Sequence, residues 1–186
     1  MYIKEIISLI EDYAPLKFQA SFDNSGLLCG NPEQELTSIL LCIDVTEEVI
    51  KEAIDKGHNL IISHHPLIFS GLKHITPATY VERCVIDAIK HDITIYAAHT
   101  NMDVVFNGVS GRMADKLDLH HRQILQPEGD PMTGNGFGII GELQHPVESM
   151  AFLQQIKEIF RCDRLRYTTP HIPSIQRVAV CGGAGA

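Results

Sequence analysis

None of the five cysteines (Cys29, Cys42, Cys84, Cys162 and Cys181) is spaced as CxxC, and their number is odd. That fits reduced, mostly buried thiols better than a disulfide framework or a thiolate zinc site. The chain also lacks any apolar run approaching the ~20 residues that span a bilayer, so no membrane partner is expected. Its start, "MYIKEIISLIEDYA", carries acidic residues where a signal peptide would be uniformly apolar. This segment reads as a mature helix, and the expected location is the cytoplasm. No cluster of Lys and Arg stands out, and the formal net charge is −8. A chain of this kind lacks the electrostatic footprint of a general nucleic-acid binder. A phosphorylated ligand would have to be attracted by a metal or a local basic patch. Internal repeats and low-complexity segments are absent too.

What is present is ordinary globular composition, 45% hydrophobic and 20% charged over 186 residues, enough for one core or for one domain and part of a second. Ile3, Ile6, Ile7 and Ile10 recur at helical spacing, and Pro15 ends that helix. "FDNSGLLCGN" is rich in turn formers and leads through a short strand around Leu27–Cys29. "SILLCID" reads as a buried strand. In "VTEEVIKEAIDKGH", Thr46 is the N-cap, Glu47 and Glu48 fill the first turn, and Gly57 marks the stop. "NLIIS" is a strand, "TYVERCVIDAIKHD" a helix, "ITIYAAHTNMD" a strand ending in polar residues, and "GVSGRMADKLDL" a helix. This alternation predicts an α/β fold with a mainly parallel or mixed sheet flanked by helices.

Near Gln126 the texture changes to a Gly/Pro-rich connection. A strand at Phe137–Leu143, a helix over "PVESMAFLQQIKEIF", and strands at "RLRYT" and "IQRVAV" then follow. The expected division is a lobe over residues 1–125 and the start of a second over 126–186. The final "RVAVCGGAGA" is a strand and Gly-rich turn of the kind that leads into a helix, so the chain is expected to be part of a longer one. Gly182–Gly185 could present backbone N–H groups to an anion, although a tight turn needs no such role.

The segment "NLIISHHPLIFSGL" raises the chemical question. Adjacent residues of a regular strand point to opposite faces, so His64 and His65 serve one site only if the strand gives way there. Pro66 biases His65 away from helix and marks that change. His99 and Asp103 in "AAHTNMD" follow the next strand. If the two strands are neighbours, His64, His65, His99 and Asp103 converge on one crevice at the carboxyl end of the sheet. Three imidazoles and a carboxylate suit Zn, Mn, Fe, Co or Ni. Asp44 ends another strand and could support that rim. His58, His74, His91, His120, His121, His145 and His171 read as surface residues in turns or at helix ends. Four donors suffice for one metal. Two metals need a bridging carboxylate and further ligands, which these residues do not supply.

Taken in order, "FDNSGLLCG", "LCIDVTEEVIKEAIDKGHNLIISHHPLIF", "HTNMD", "GFGIIGEL" and "VAVCGGAG" resemble the NIF-three-like dinuclear-metal-centre family, also known as GTP cyclohydrolase I type 2 homologs. The resemblance implies that His64, His65, His99 and Asp103 are metal ligands and that two divalent ions form the cofactor. The family's remaining ligands, a His and a Glu of an HxxxE-type motif, would lie beyond residue 186. It further implies two similar α/β lobes, the second incomplete here, and a toroidal homohexamer. The implied activity is metal-dependent hydrolysis of a nucleotide-like or phosphorylated small molecule, GTP ring opening in the narrowest form. A non-enzymatic metal-binding scaffold or regulatory interaction protein is the competing expectation.

Overall fold

The computed structural model describes residues 1–127 and 134–183. The chain forms two compact units, Met1–Met102 and Asp103–Ala186. The change of composition at residue 126 lies inside the second of these.

The first unit opens with α1 (Ile3–Tyr13), followed by a 3-10 turn at Leu16–Phe18, β1 (Gly26–Cys29) and β2 (Ile39–Cys42). Next come α2 (Glu47–Lys56), β3 (Leu60–Ser63), α3 (Tyr80–Lys90) and β4 (Thr94–Ala97). The sheet order is β1-β4-β3-β2. β2, β3 and β4 run parallel, while β1 pairs antiparallel with β4, giving the mixed sheet flanked by helices that the alternation predicts.

Both faces of the central strands β3 and β4 are covered, whereas Leu41 on the edge strand β2 is exposed. Ile61 and Ile95 pack with Ile50, Ala53, Cys84, Val85 and Ala88 from α2 and α3. Leu60 and Tyr96 meet Ile3, with Ile6, Ile7 and Ile10 of α1 packed alongside. The helix signals behave as their chemistry requires. Thr46 accepts a hydrogen bond from the Val49 N–H, and Gly57 takes a left-handed φ of 72° at the C-terminal stop.

Within the second unit, α5 (Val109–Lys116), β5 (His120–Pro127), β6 (Gly136–Glu148), α6 (Ser149–Ile159) and β7 (Ser174–Val180) follow a short helix, α4 (Thr100–Val104), that begins in the first. The described sheet here is antiparallel, ordered β5-β6-β7. Ala114, Leu117, Leu119, Ile139, Phe152 and Val178 form its core.

Several local expectations change. "RLRYT" is not a strand: Tyr167 is exposed, and its two-residue alternation finds no ladder partner among the described strands. Pro146 lies in β6, and the helix starts later, at Ser149. His120 and His121 open β5, and His145 sits in β6, so these three are exposed strand residues rather than turn residues. "HTNMD" is mainly helical. No helix among the described residues is long and apolar enough to cross a membrane.

Candidate metal centre

Parallel pairing of Ser63 with Ala97 brings the ends of β3 and β4 side by side, which meets the condition for the histidines to converge. In a regular strand, successive N–H groups point to opposite neighbours. Here the N–H groups of both His64 and His65 donate to the β2 side, to the carbonyls of Cys42 (3.2 Å) and Ile43 (2.9 Å). The chain has therefore turned at His65, and the two imidazoles no longer oppose each other across the sheet. The Ser63 hydroxyl locks the turn by donating to the His65 carbonyl at 2.8 Å.

The rings of His64, His65 and His99 then stand 5.1, 5.2 and 5.6 Å apart, centroid to centroid. Each offers one ring nitrogen, and these nitrogens lie within 4.8 Å of one another. Tetrahedral zinc with Zn–N bonds near 2.0–2.1 Å needs nitrogens roughly 3.3 Å apart, a separation reached by small side-chain adjustment.

All three Nδ1 atoms face acceptors: the Ala98 carbonyl for His64 (2.9 Å), Asp44 Oδ1 for His65 (2.7 Å) and Asp23 Oδ1 for His99 (2.7 Å). Carbonyls and ionised carboxylates only accept, so Nδ1 carries the proton in each neutral ring and Nε2 carries the lone pair. This is the tautomer suited to ligation through Nε2, held by an outer hydrogen bond of the kind that orients metal-ligating histidines. The donor set fits a borderline divalent ion.

The supports differ in burial. The Asp44 side chain is 65% exposed, whereas that of Asp23 is 0% exposed. Burial pushes the Asp23 carboxyl upward. Hydrogen bonds from His99, Thr100, Ser25 and the Asn24 backbone outweigh that and hold it well below the usual carboxylate range. Asn101, fully buried, accepts from the His99 N–H at 3.0 Å and donates to the Ala14 carbonyl at 2.7 Å.

Asp103 lies on α4, four residues after His99, and belongs to the second unit. Within that unit, a Cβ placed on Gly183 would stand 3.7 Å from Asp103 Oδ2. Residues 184 and 185 of the Gly-rich turn lie outside the described residues. Sequence reasoning gave Asp23 no role in the site. No local pattern marks it, because only the antiparallel pairing of β1 with β4 carries the residues before β1 to the end of β4.

All 186 residues match the model of the Duf34/NIF3 (NGG1p interacting factor 3) family. A Clostridium perfringens protein named GTP cyclohydrolase 1 type 2 homolog is 37% identical over 185 residues, which are 100% of this chain and 70% of that protein. Staphylococcus aureus hypothetical protein SA1388 is similar in structure, with a TM-score of 0.90 at 29% identity, covering 100% of this chain and 73% of that one. A Bacillus cereus protein related to NIF3 gives a TM-score of 0.89 at 25% identity, over 100% of this chain and 77% of its own. The full-length family match, the relative at 37% identity and the shared fold establish that this chain belongs to the Duf34/NIF3 family.

Proposed function

We propose that the chain supplies His64, His65, His99 and Asp103 to a dinuclear metal centre and works as a metal-dependent hydrolase on a nucleotide-like or other phosphorylated small molecule. The observation that carries this reading is the shared Nδ1 engagement of three converging imidazoles. Surface histidines have no reason to be oriented alike around one point. Divalent ions held there would lower the pKa of a coordinated water and polarise the bond under attack.

The protein's own groups supply the rest. Ser63 fixes the His65 backbone, Asp44 and Asp23 orient two of the rings, and the Ala98 carbonyl orients the third. Phe22 and Phe69 form an exposed aromatic pair with ring centroids 6.5 Å apart. The segments that carry them are tied by the Asn24 side-chain amide, which donates to the Ile68 carbonyl at 2.6 Å. Phe22 adjoins Asp23 in sequence, so a planar base stacked on this pair would lie close to the histidines. This favours a nucleotide-like substrate, and the names of relatives such as the Clostridium perfringens protein point to GTP as the first to try. The proposed assembly is a homo-oligomer, a hexamer by family resemblance, which sedimentation would check.

Elemental analysis of the purified protein beside His65→Ala and His99→Ala tests the metal site. Bound Zn, Mn, Fe, Co or Ni that is lost in both variants supports it, and equal metal content in all three proteins sinks it. Turnover of GTP and a panel of phosphorylated and cyclic compounds by metal-loaded protein then tests the hydrolase reading. The family's description as an interacting factor favours a second reading, a metal-binding regulatory partner. Metal binding without turnover, together with reproducible capture of one protein, would select it.

A further inference from the structure

We infer that Asp23 is the positioning residue of this site: it fixes the ring of His99 and the start of α4 together, and no neutral isostere can replace it. The inference rests on the metal-binding reading for its functional meaning, but its geometric content is independent of any ion.

Asp23 Oδ1 accepts from His99 Nδ1 (2.7 Å) and from the Asn24 N–H (2.7 Å). Its Oδ2 accepts from the Thr100 N–H (3.1 Å), the Thr100 hydroxyl and the Ser25 hydroxyl (2.7 Å). One buried carboxylate therefore ties the turn before β1 to the residues after β4. It holds the His99 side chain and the next residue's backbone at the same time. Thr100 in turn accepts from the Ala20 N–H through its hydroxyl oxygen at 2.9 Å, so the clamp reaches back to the segment after α1.

The donor pattern explains why the group must be a carboxylate. Hydroxyls can rotate, but backbone N–H groups cannot reverse. Each oxygen of Asp23 receives one backbone N–H, from Asn24 on Oδ1 and from Thr100 on Oδ2. An asparagine would set its NH2 group against one of these donors in either flip: against the part-buried Thr100 N–H, or against the Asn24 N–H and the His99 ring nitrogen together. The Asp44–His65 contact has no such surroundings. It is a single contact with a largely exposed carboxylate, where water and salt weaken the interaction.

The two carboxylates are therefore ranked, and the ranking can be measured. Co²⁺ titration followed by its visible absorption compares wild type with Asp23→Asn, Asp23→Ala and Asp44→Asn. The expected result is a loss of Co²⁺ affinity of about 10–100-fold for the Asp23 variants, as for other outer partners of ligating histidines. For Asp44→Asn the expected loss is at most about fivefold, the range of an exposed ion pair. Ile61→Val serves as a comparator for loss of stability alone, and its Co²⁺ affinity should match wild type.

A second readout needs no metal. ¹⁵N NMR of the imidazole rings in metal-free wild-type protein should show His99 as the Nδ1–H tautomer, with that preference lost in Asp23→Ala, which removes the acceptor. Equal Co²⁺ affinity in wild type and Asp23→Asn would overturn the inference. So would an Nε2–H tautomer for His99 in the wild type, a result that depends on no variant folding. If wild type binds no Co²⁺, the metal reading fails, and the tautomer comparison still decides the role of Asp23.

Discussion

Ser63 and Ala97 face each other as Cα partners in adjacent parallel strands, and the chain beyond each of them delivers imidazoles to the same place. The Ala98 N–H donates to the Ser63 carbonyl at 2.9 Å, and the Ala98 carbonyl accepts from His64 at 2.9 Å. The sheet ladder thus runs directly into the ring contacts, so the site inherits the rigidity of β3 and β4, whose residues are almost entirely buried.

Metal addition should therefore stabilise the fold through these rings. At a free ion concentration 100 times Kd, linkage gives ~2.7 kcal/mol, or a rise in Tm of about 5–10 °C for a chain of this size. Differential scanning fluorimetry with Zn²⁺, Mn²⁺ or Co²⁺ should show that rise in wild type and lose it in His64→Ala and His99→Ala. Chelator treatment should return wild type to the Tm of the metal-free protein.

Asn101→Ala should be costly although the residue is not part of the three-histidine cluster. Its amide is fully buried and bridges the His99 N–H to the carbonyl of fully buried Ala14. Truncation leaves both backbone groups without that partner, at about 2–4 kcal/mol in total. Asn101→Asp should be no milder, because a carboxylate cannot donate to the Ala14 carbonyl. Urea unfolding followed by circular dichroism measures both.

Much of this was legible before the fold. Isoleucines at helical spacing located α1, Thr46 and Gly57 bounded α2, and the polar ends of two apolar runs located the three histidines. Those signals are local, and local chemistry acts the same way in any context. Other features depend on partners distant in sequence. Asp23 lies 76 residues from His99, and nothing in "FDNSG" says which strand its neighbours will pair with. "RLRYT" has strand periodicity but no sheet edge to join. "HTNMD" follows an apolar run without a break, and its passage from strand to helix is fixed by side chains folding back: Asn101 onto the His99 N–H, and Asp23 onto the Thr100 N–H.

The two glycines that flank this sheet should respond very differently to alanine. Gly30 has φ 103°, and an added Cβ would lie 2.5 Å from Thr94 Cα, a backbone atom that cannot rotate away. Gly30→Ala should cost about 2–4 kcal/mol, combining backbone strain with overpacking against β4. Gly57 has φ 72° with nothing within 4 Å of an added Cβ, so Gly57→Ala should cost only the left-handed backbone penalty of roughly 1–2 kcal/mol. Equal urea midpoints for the two variants would contradict the close approach of Gly30 to β4.

The thiols of buried Cys84 and half-buried Cys42 contribute to the loss of stability at alkaline pH. Burial pushes Cys84 up to about 11, with Glu47 and Asp87 adding to it; burial and then the Asp44 charge do the same for Cys42. In the unfolded chain both thiols ionise near the ordinary value of 9.0. Between pH 9 and 11 the unfolded state therefore holds fewer protons than the native state, and unfolding free energy must fall as pH rises. The neutral thiols contribute no such penalty below pH 9. Urea midpoints should be flat from pH 7.5 to 8.5 and decline from 9 toward 11, and the decline should shrink in Cys84→Ala relative to that variant's own value at pH 8. Alkylation by iodoacetamide at pH 8 should likewise leave Cys84 largely unmodified in folded protein and modify it readily in urea, since the thiolate is the nucleophile and native burial suppresses both its formation and its access.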